Sequence, residues 1–169
     1  GHGEAEPVVL RGVFSSPCPS WLSRAESPRP STAIGLEEAL DEIVRVRQRE
    51  SFALAEEMVR CCRDHGFSHP LLADNEAWIA YEACEFERAE SIWCALTSSE
   101  VEGIAEQAHA TLRQLFQSPS VKVRLADVAR LRARQCPDVL WRQRLLQAWL
   151  QADDEEDQEL VFKALKEIA

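Results

Sequence analysis

The chain has 169 residues, of which 46% are hydrophobic and 28% charged, with a formal net charge of −10. This balance suits one globular domain with a core and excludes a disordered chain. An acidic excess disfavours nucleic acid, and no apolar run approaches the ~18 residues of a membrane span. Scarce glycine and a single tyrosine, without alternating β-branched runs, argue against a sheet protein.

Residues 1–33 read as an extended Pro/Ser-rich arm, because Pro7, Pro17, Pro19, Pro28 and Pro30 remove backbone donors and fix φ. Its apolar clusters Val8-Val9-Leu10 and Trp21-Leu22 form either part of a tail or a docking segment. No basic-then-apolar opening with a small-residue cleavage site occurs, so no secretion signal is expected.

From residue 34 a helical domain is expected to run to the end. Leu36, Ala39, Leu40, Ile43 and Val44 repeat at the helical period and form one buried face. Ser51 then caps a run with Phe52, Ala55, Met58, Val59 and Cys62 inward, closed by Gly66 at a left-handed C′ position. Ser68 and Pro70 open a third helix with Leu71, Leu72, Trp78 and Ile79 as its apolar positions. A fourth follows Glu85, with Phe86, Ala89, Ile92, Trp93 and Leu96.

Ser99 to Glu102 has capping-box spacing and starts a fifth helix, whose stripe runs through Ile104, Ala108, Leu112 and Phe116. Ser118-Pro119 reads as the cap and first residue of a sixth helix. Pro137 opens a seventh, with Leu145, Leu146, Trp149 and Leu150 apolar, and Asp153-Asp154 caps an eighth ending in Ala164, Leu165 and Ile168. Short loops require neighbouring helices to run antiparallel.

One internal register stands out. ESFALAE at 50–56 lies over CEFERAE at 84–90, an offset of 34 residues that matches Phe52 with Phe86, Ala55 with Ala89 and Val59 with Trp93. The segment from Asp74 to Leu96 resembles a tetratricopeptide repeat, with Ala77 and Ala89 at its small positions and Phe86 and Trp93 at its aromatic ones. It departs from that family at Glu76 and Ala80, and no proline follows Leu96. A helical-repeat solenoid with longer units is the other form open to this chain.

The resemblance implies an all-α fold, a right-handed stack of about four antiparallel helix pairs forming a solenoid. It implies a protein–protein interaction module, such as an adaptor, scaffold, assembly factor or chaperone-like binder. A partner peptide or helix would lie in the concave groove, against Val44, Arg47, Asp74, Trp78, Tyr81 and Glu82. The competing reading of Trp78 is plain core.

Charge gives the alternative function. Lys122, Arg124, Arg130, Arg132, Arg134, Arg142 and Arg144 face only Asp127 and Asp138 within residues 122–144, while the stretch from Asp153 to Glu159 is almost wholly acidic. Such a basic patch serves a nucleic-acid-binding regulator, or it packs near that acidic turn. An apolar C-terminal helix with no polar capping helix after it suggests either a homodimer through that end or a chain cut short there.

No catalytic residue, cofactor or metal is expected. Glycine-rich phosphate loops and G-x-S-x-G are absent, and His109 has no nucleophile in sequence register. His65 and His69, with Cys61 and Cys62 upstream, have a zinc-like spacing that Gly66 and Pro70 interrupt. Six cysteines without a CxxC pair read as free core thiols of a reducing, cytoplasmic setting.

Overall fold

The structure, a computed structural model, describes residues 32–169. The arm at 1–33 falls almost wholly outside these residues, as do its clusters Val8-Val9-Leu10 and Trp21-Leu22. Among the described residues, all regular structure is helical. The helices are α1 (Thr32–Gln48), α2 (Phe52–Asp64), α3 (Pro70–Glu82), α4 (Phe86–Leu96), α5 (Ile104–Leu112), α6 (Val121–Ala133), α7 (Asp138–Gln151) and α8 (Glu155–Ile168). A π-helical turn, Arg113–Gln117, prolongs α5. None of these helices is long and apolar enough to cross a membrane. The chain divides into two compact units, one reaching Ile79 and the other Ala80–Ala169, with the division inside α3.

The first unit is built largely on the apolar faces read from the sequence, but on α1 it is Val46, not Val44, that is buried, and Val44 is half-buried. Ala39, Ile43 and Val46 of α1 bury against Ala55, Met58, Val59 and Cys62 of α2, with Phe67, Leu72 and Ile79 completing the core. Leu36, Leu40 and Phe52 pack around it. Burial pushes the Cys62 thiol up to about 12, so it behaves as a small apolar side chain.

In the second unit, Val128 and Leu131 of α6 pack with Trp141 and Leu145 of α7, and Leu165 and Ile168 of α8 join them. Val121, Ala148 and Val161 form a further buried cluster on the same three helices. An aromatic group lies around Tyr81. Its ring is 5.1 Å from Phe86, 6.2 Å from Trp93 and 5.8 Å from Phe116, measured between centroids.

Four helices end in one way. After α2, Phe67 N–H donates to the Cys62 carbonyl and Gly66 N–H to that of Arg63, with Gly66 at φ 92°. This is the Schellman closure expected of a glycine there. The same pair of bonds closes α1 at Glu50, α3 at Cys84 and α6 at Gln135, none of them glycine, at φ 61°, 68° and 56°. A side chain in the left-handed region costs about 1–2 kcal/mol, against about 0.5–1 kcal/mol of chain entropy for glycine. Gln135 is exposed, so Gln135→Gly is expected to raise stability by about 0.5–1 kcal/mol, read from urea unfolding.

Glu50 and Cys84 stand 34 residues apart, the offset of the sequence register. The residues that follow them match as well: Ser51 has φ −88° and ψ 66°, Glu85 φ −92° and ψ 66°. The two helix–turn–helix corners therefore share one local backbone geometry.

Several helix starts differ from the sequence expectation. α5 begins at Ile104, after Gly103 at φ 84°, while the Ser99 hydroxyl accepts from Val101 N–H instead of forming a capping box. Ser118 closes the π-helical turn through its N–H to Arg113 O, and Ser120 caps α6 by accepting from Val123 N–H at 3.3 Å. At α3 the cap is His69, whose Nδ1 accepts from Leu71 N–H at 3.1 Å, not Ser68. Ser51 occupies its expected cap position but makes no side-chain cap bond.

The largest difference concerns α7. Trp141, Leu145 and Ala148 are its buried face, whereas Leu146, Trp149 and Leu150, expected inside, are exposed.

Candidate partner surface

Three groups of side chains carry enough chemistry to merit a functional reading. The first is on unit one. Val44, Arg47, Asp74 and Trp78 are each half-buried. Arg47 Nη1 lies 3.5 Å from Asn75 Oδ1, and its guanidinium stands 5.9 Å from the centre of the Trp78 ring. α1 and α3 thus share a surface on which a planar cation lies over an indole, an arrangement attractive for electrostatic reasons.

The other two groove residues belong to unit two. Glu82 is half-buried, but Tyr81 is only 1% exposed and presents no surface to a partner.

Tyr81 belongs instead to a buried polar cluster that the sequence did not reveal. Its hydroxyl donates to Asp127 Oδ1, and Asp127 is itself 4% exposed. Arg130 Nη1 lies 3.5 Å from the same oxygen, and Arg144 Nε 3.4 Å from Oδ2. The two guanidiniums also cover aromatic faces, Arg130 at 5.4 Å from the Tyr81 ring and Arg144 at 4.4 Å from Phe86. Burial holds the Asp127 carboxyl above its ordinary range despite both arginines, and with Asp127 it pushes the Tyr81 hydroxyl up. The cluster cross-links helices and offers little polar surface outward.

This accounts for part of the basic stretch. Arg130 and Arg144 serve Asp127, and Arg124 donates to Gln151 Oε1 at 2.6 Å and to Gln147 Oε1 at 2.5 Å. Arg132 and Arg142 each stand 5.3 Å from the Trp141 ring centre, and Arg142 reaches Asp138 at 3.7 Å. Lys122 and Arg134 are exposed.

The zinc-like spacing at 61–69 has other work. His65 is buried with its Nδ1–H donating to Cys61 O at 2.9 Å, and the His69 ring caps α3. Burial raises the Cys61 thiol, which opposes formation of the thiolate a metal would need. Among the described residues, no group of three or more His, Cys, Asp or Glu side chains is placed to hold a metal ion.

The third group is the outer face of α7 with its neighbour on α8. Val139 is 68% exposed, Leu146 57%, Trp149 56%, Leu150 75% and Phe162 58%. Val139, Leu146 and Leu150 follow one another at spacings of seven and four, so they share one line along the helix. Trp149 and Phe162 line a shallow concavity with Ala152, Gln158 and Val161. A helix apolar on two faces has one face for its own core and another left over. No protein-family model, curated protein or solved structure matches this chain.

Proposed function

We propose that this chain is a protein-binding helical module whose partner surface is the outer face of α7 with Phe162 of α8. The observation that supports this reading is the set of five large apolar side chains there, each more than half exposed. Monomers rarely expose apolar patches beyond a few hundred Å², and larger ones rimmed by charge mark protein contacts. Trp149 is the kind of rigid, amphipathic side chain that anchors such contacts. Arg142, Lys163 and Glu159 supply a charged rim.

A second surface has its own support. The contacts of Arg47 with Asn75 and Trp78, and the recurrence of one corner geometry after 34 residues, favour a tetratricopeptide-like stack. In that arrangement Val44, Arg47, Asp74 and Trp78 face a partner segment. The nucleic-acid reading has less behind it, because Arg124, Arg130 and Arg144 are engaged within their own unit.

The experiment is partner capture from a lysate of the source organism, with the wild-type chain beside Leu146→Asp and Trp78→Ala. Loss of a captured protein with Leu146→Asp, at unchanged melting temperature, is the expected result. Loss only with Trp78→Ala would move the surface to α1 and α3. Equal capture by all three chains would overturn both surfaces.

A further inference from the structure

We propose that the occupant of the α7 face is a second copy of this chain, docked by a twofold antiparallel contact of α7 with α7. This rests on the reading of that face as a protein-binding surface and goes further by naming what covers it.

The argument is the way charge is distributed along the apolar line. Beside the start of α7 lie Arg132, Arg134 and Arg142, all exposed, with Arg132 and Arg142 each 5.3 Å from the Trp141 ring centre; they outnumber Asp138, which pairs with Arg142 at 3.7 Å. Ile168 lines the same concavity as Arg132, Asp138, Trp141 and Arg142, which brings the end of α8 there; its exposed Lys166 and Glu167 offset one another and leave that end basic on balance. At the other end, immediately after α7, stand Asp153, Asp154, Glu155 and Glu156, all exposed. Between these poles run Val139, Leu146 and Leu150, about 16 Å of helix at ~1.5 Å per residue.

An isologous contact presents one patch to itself. Laid antiparallel, the apolar line covers its own copy, and the basic end of each chain meets the acidic end of the other. A parallel contact sets cation on cation and carboxylate on carboxylate, which is unfavourable at both ends. Leu146 lies near the middle of the line and so near the twofold axis, where it is desolvated most completely. The remaining intramolecular candidate is residues 1–31, whose Glu4, Glu6 and Glu26 are balanced by Arg11, Arg24 and Arg29. That segment has no net charge, whereas a second copy brings both poles at the spacing of the line itself.

Sedimentation equilibrium of the full chain, over a range of concentration and salt, tests the proposal. The expected result is a species of twice the 19.1 kDa chain mass that weakens as salt rises. Leu146→Asp should weaken it at least about thirtyfold, the scale of an interface hot spot. Its circular dichroism should match wild type, since Leu146 is exposed, and its melting should match that of wild type diluted to the monomer.

A monomer at every concentration overturns the proposal, as does a dimer indifferent to Leu146→Asp or strengthened by salt. Dimerisation only after residues 1–31 are removed also overturns it, and assigns the face to the arm. Partner capture with the same variant separates the two levels of the claim. A monomer that captures a different protein in a Leu146-dependent way rejects the second copy and keeps the surface. A monomer that captures nothing rejects both.

Discussion

Asp127→Ala is expected to lower the unfolding free energy by about 3 kcal/mol. Removing the carboxylate leaves the Tyr81 hydroxyl buried without its acceptor, and a buried unsatisfied group costs about 1–3 kcal/mol. It also leaves Arg130 and Arg144 without their shared counterion. Both side chains remain partly exposed, at 33% and 26%, so water recovers part of that loss. Asp127→Asn should cost less, because the amide oxygen can still accept from Tyr81.

The pH dependence carries a definite sign. Burial raises the Asp127 pKa in the folded chain, so the native state holds this proton more tightly than the unfolded state. The stabilisation from proton binding is full below the ordinary carboxylate pKa and is lost as pH rises through the folded one. Wild type should therefore lose stability relative to Asp127→Asn as pH rises across that window. Urea unfolding of both chains at several pH values reads it directly, and a wild type that gains stability relative to Asp127→Asn as pH rises would contradict the placement of Asp127.

Trp93→Ala should be more damaging, at about 3–5 kcal/mol, the usual cost of removing a fully buried aromatic side chain. The Trp93 ring has 0% exposure and packs 6.2 Å from both Tyr81 and Phe116. Its loss opens a cavity beside the Tyr81 and Phe116 rings. At roughly 2–4 °C per kcal/mol for a chain of this size, the melting temperature should fall by about 6–20 °C. Trp93→Phe keeps a ring in the site and should fall much less. A Trp93→Ala melt within a degree or two of wild type would mean that this aromatic group does not hold the second unit together.

Much of the helical plan was legible because its signals are local. Ala39 and Ile43 and the run Ala55, Met58, Val59, Cys62 bury as their period requires, while Val46 takes the buried place read for Val44, and Gly66 takes the left-handed position. Helix starts were less legible where two caps compete within a few residues. Ser118 and Ser120 both precede residues able to begin α6. The π-helical turn resolves the choice by drawing Ser118 N–H back to Arg113, which leaves Ser120 to open the next helix. Gly103, left-handed at φ 84°, likewise delays α5 past the Ser99 spacing.

The site was harder to read because it depends on which of two apolar faces a helix turns inward. On α7, periodicity permits either the line of Trp141, Leu145 and Ala148 or that of Val139, Leu146 and Leu150. Only the packing of α6 and α8 decides, and it selects the first. A helix with apolar residues on both lines was itself the available signal of a surplus face. Asp127 was hidden for a related reason. Among seven cations it read as one carboxylate in a basic patch, but it sits beside the Val121, Val128 and Leu131 stripe and is buried with them. A lone acid next to such a stripe, with Arg130 three residues on, is a pattern that could have flagged it.

Side-chain oxidative footprinting of the full chain at low and high concentration tests the central claim most directly. Leu146, Trp149, Leu150 and Phe162 should become protected as concentration rises, while Leu54 and Val101, each 42% exposed and on other elements, label equally throughout. Labelling of the α7 face that stays constant with concentration would contradict its role as the contact between copies.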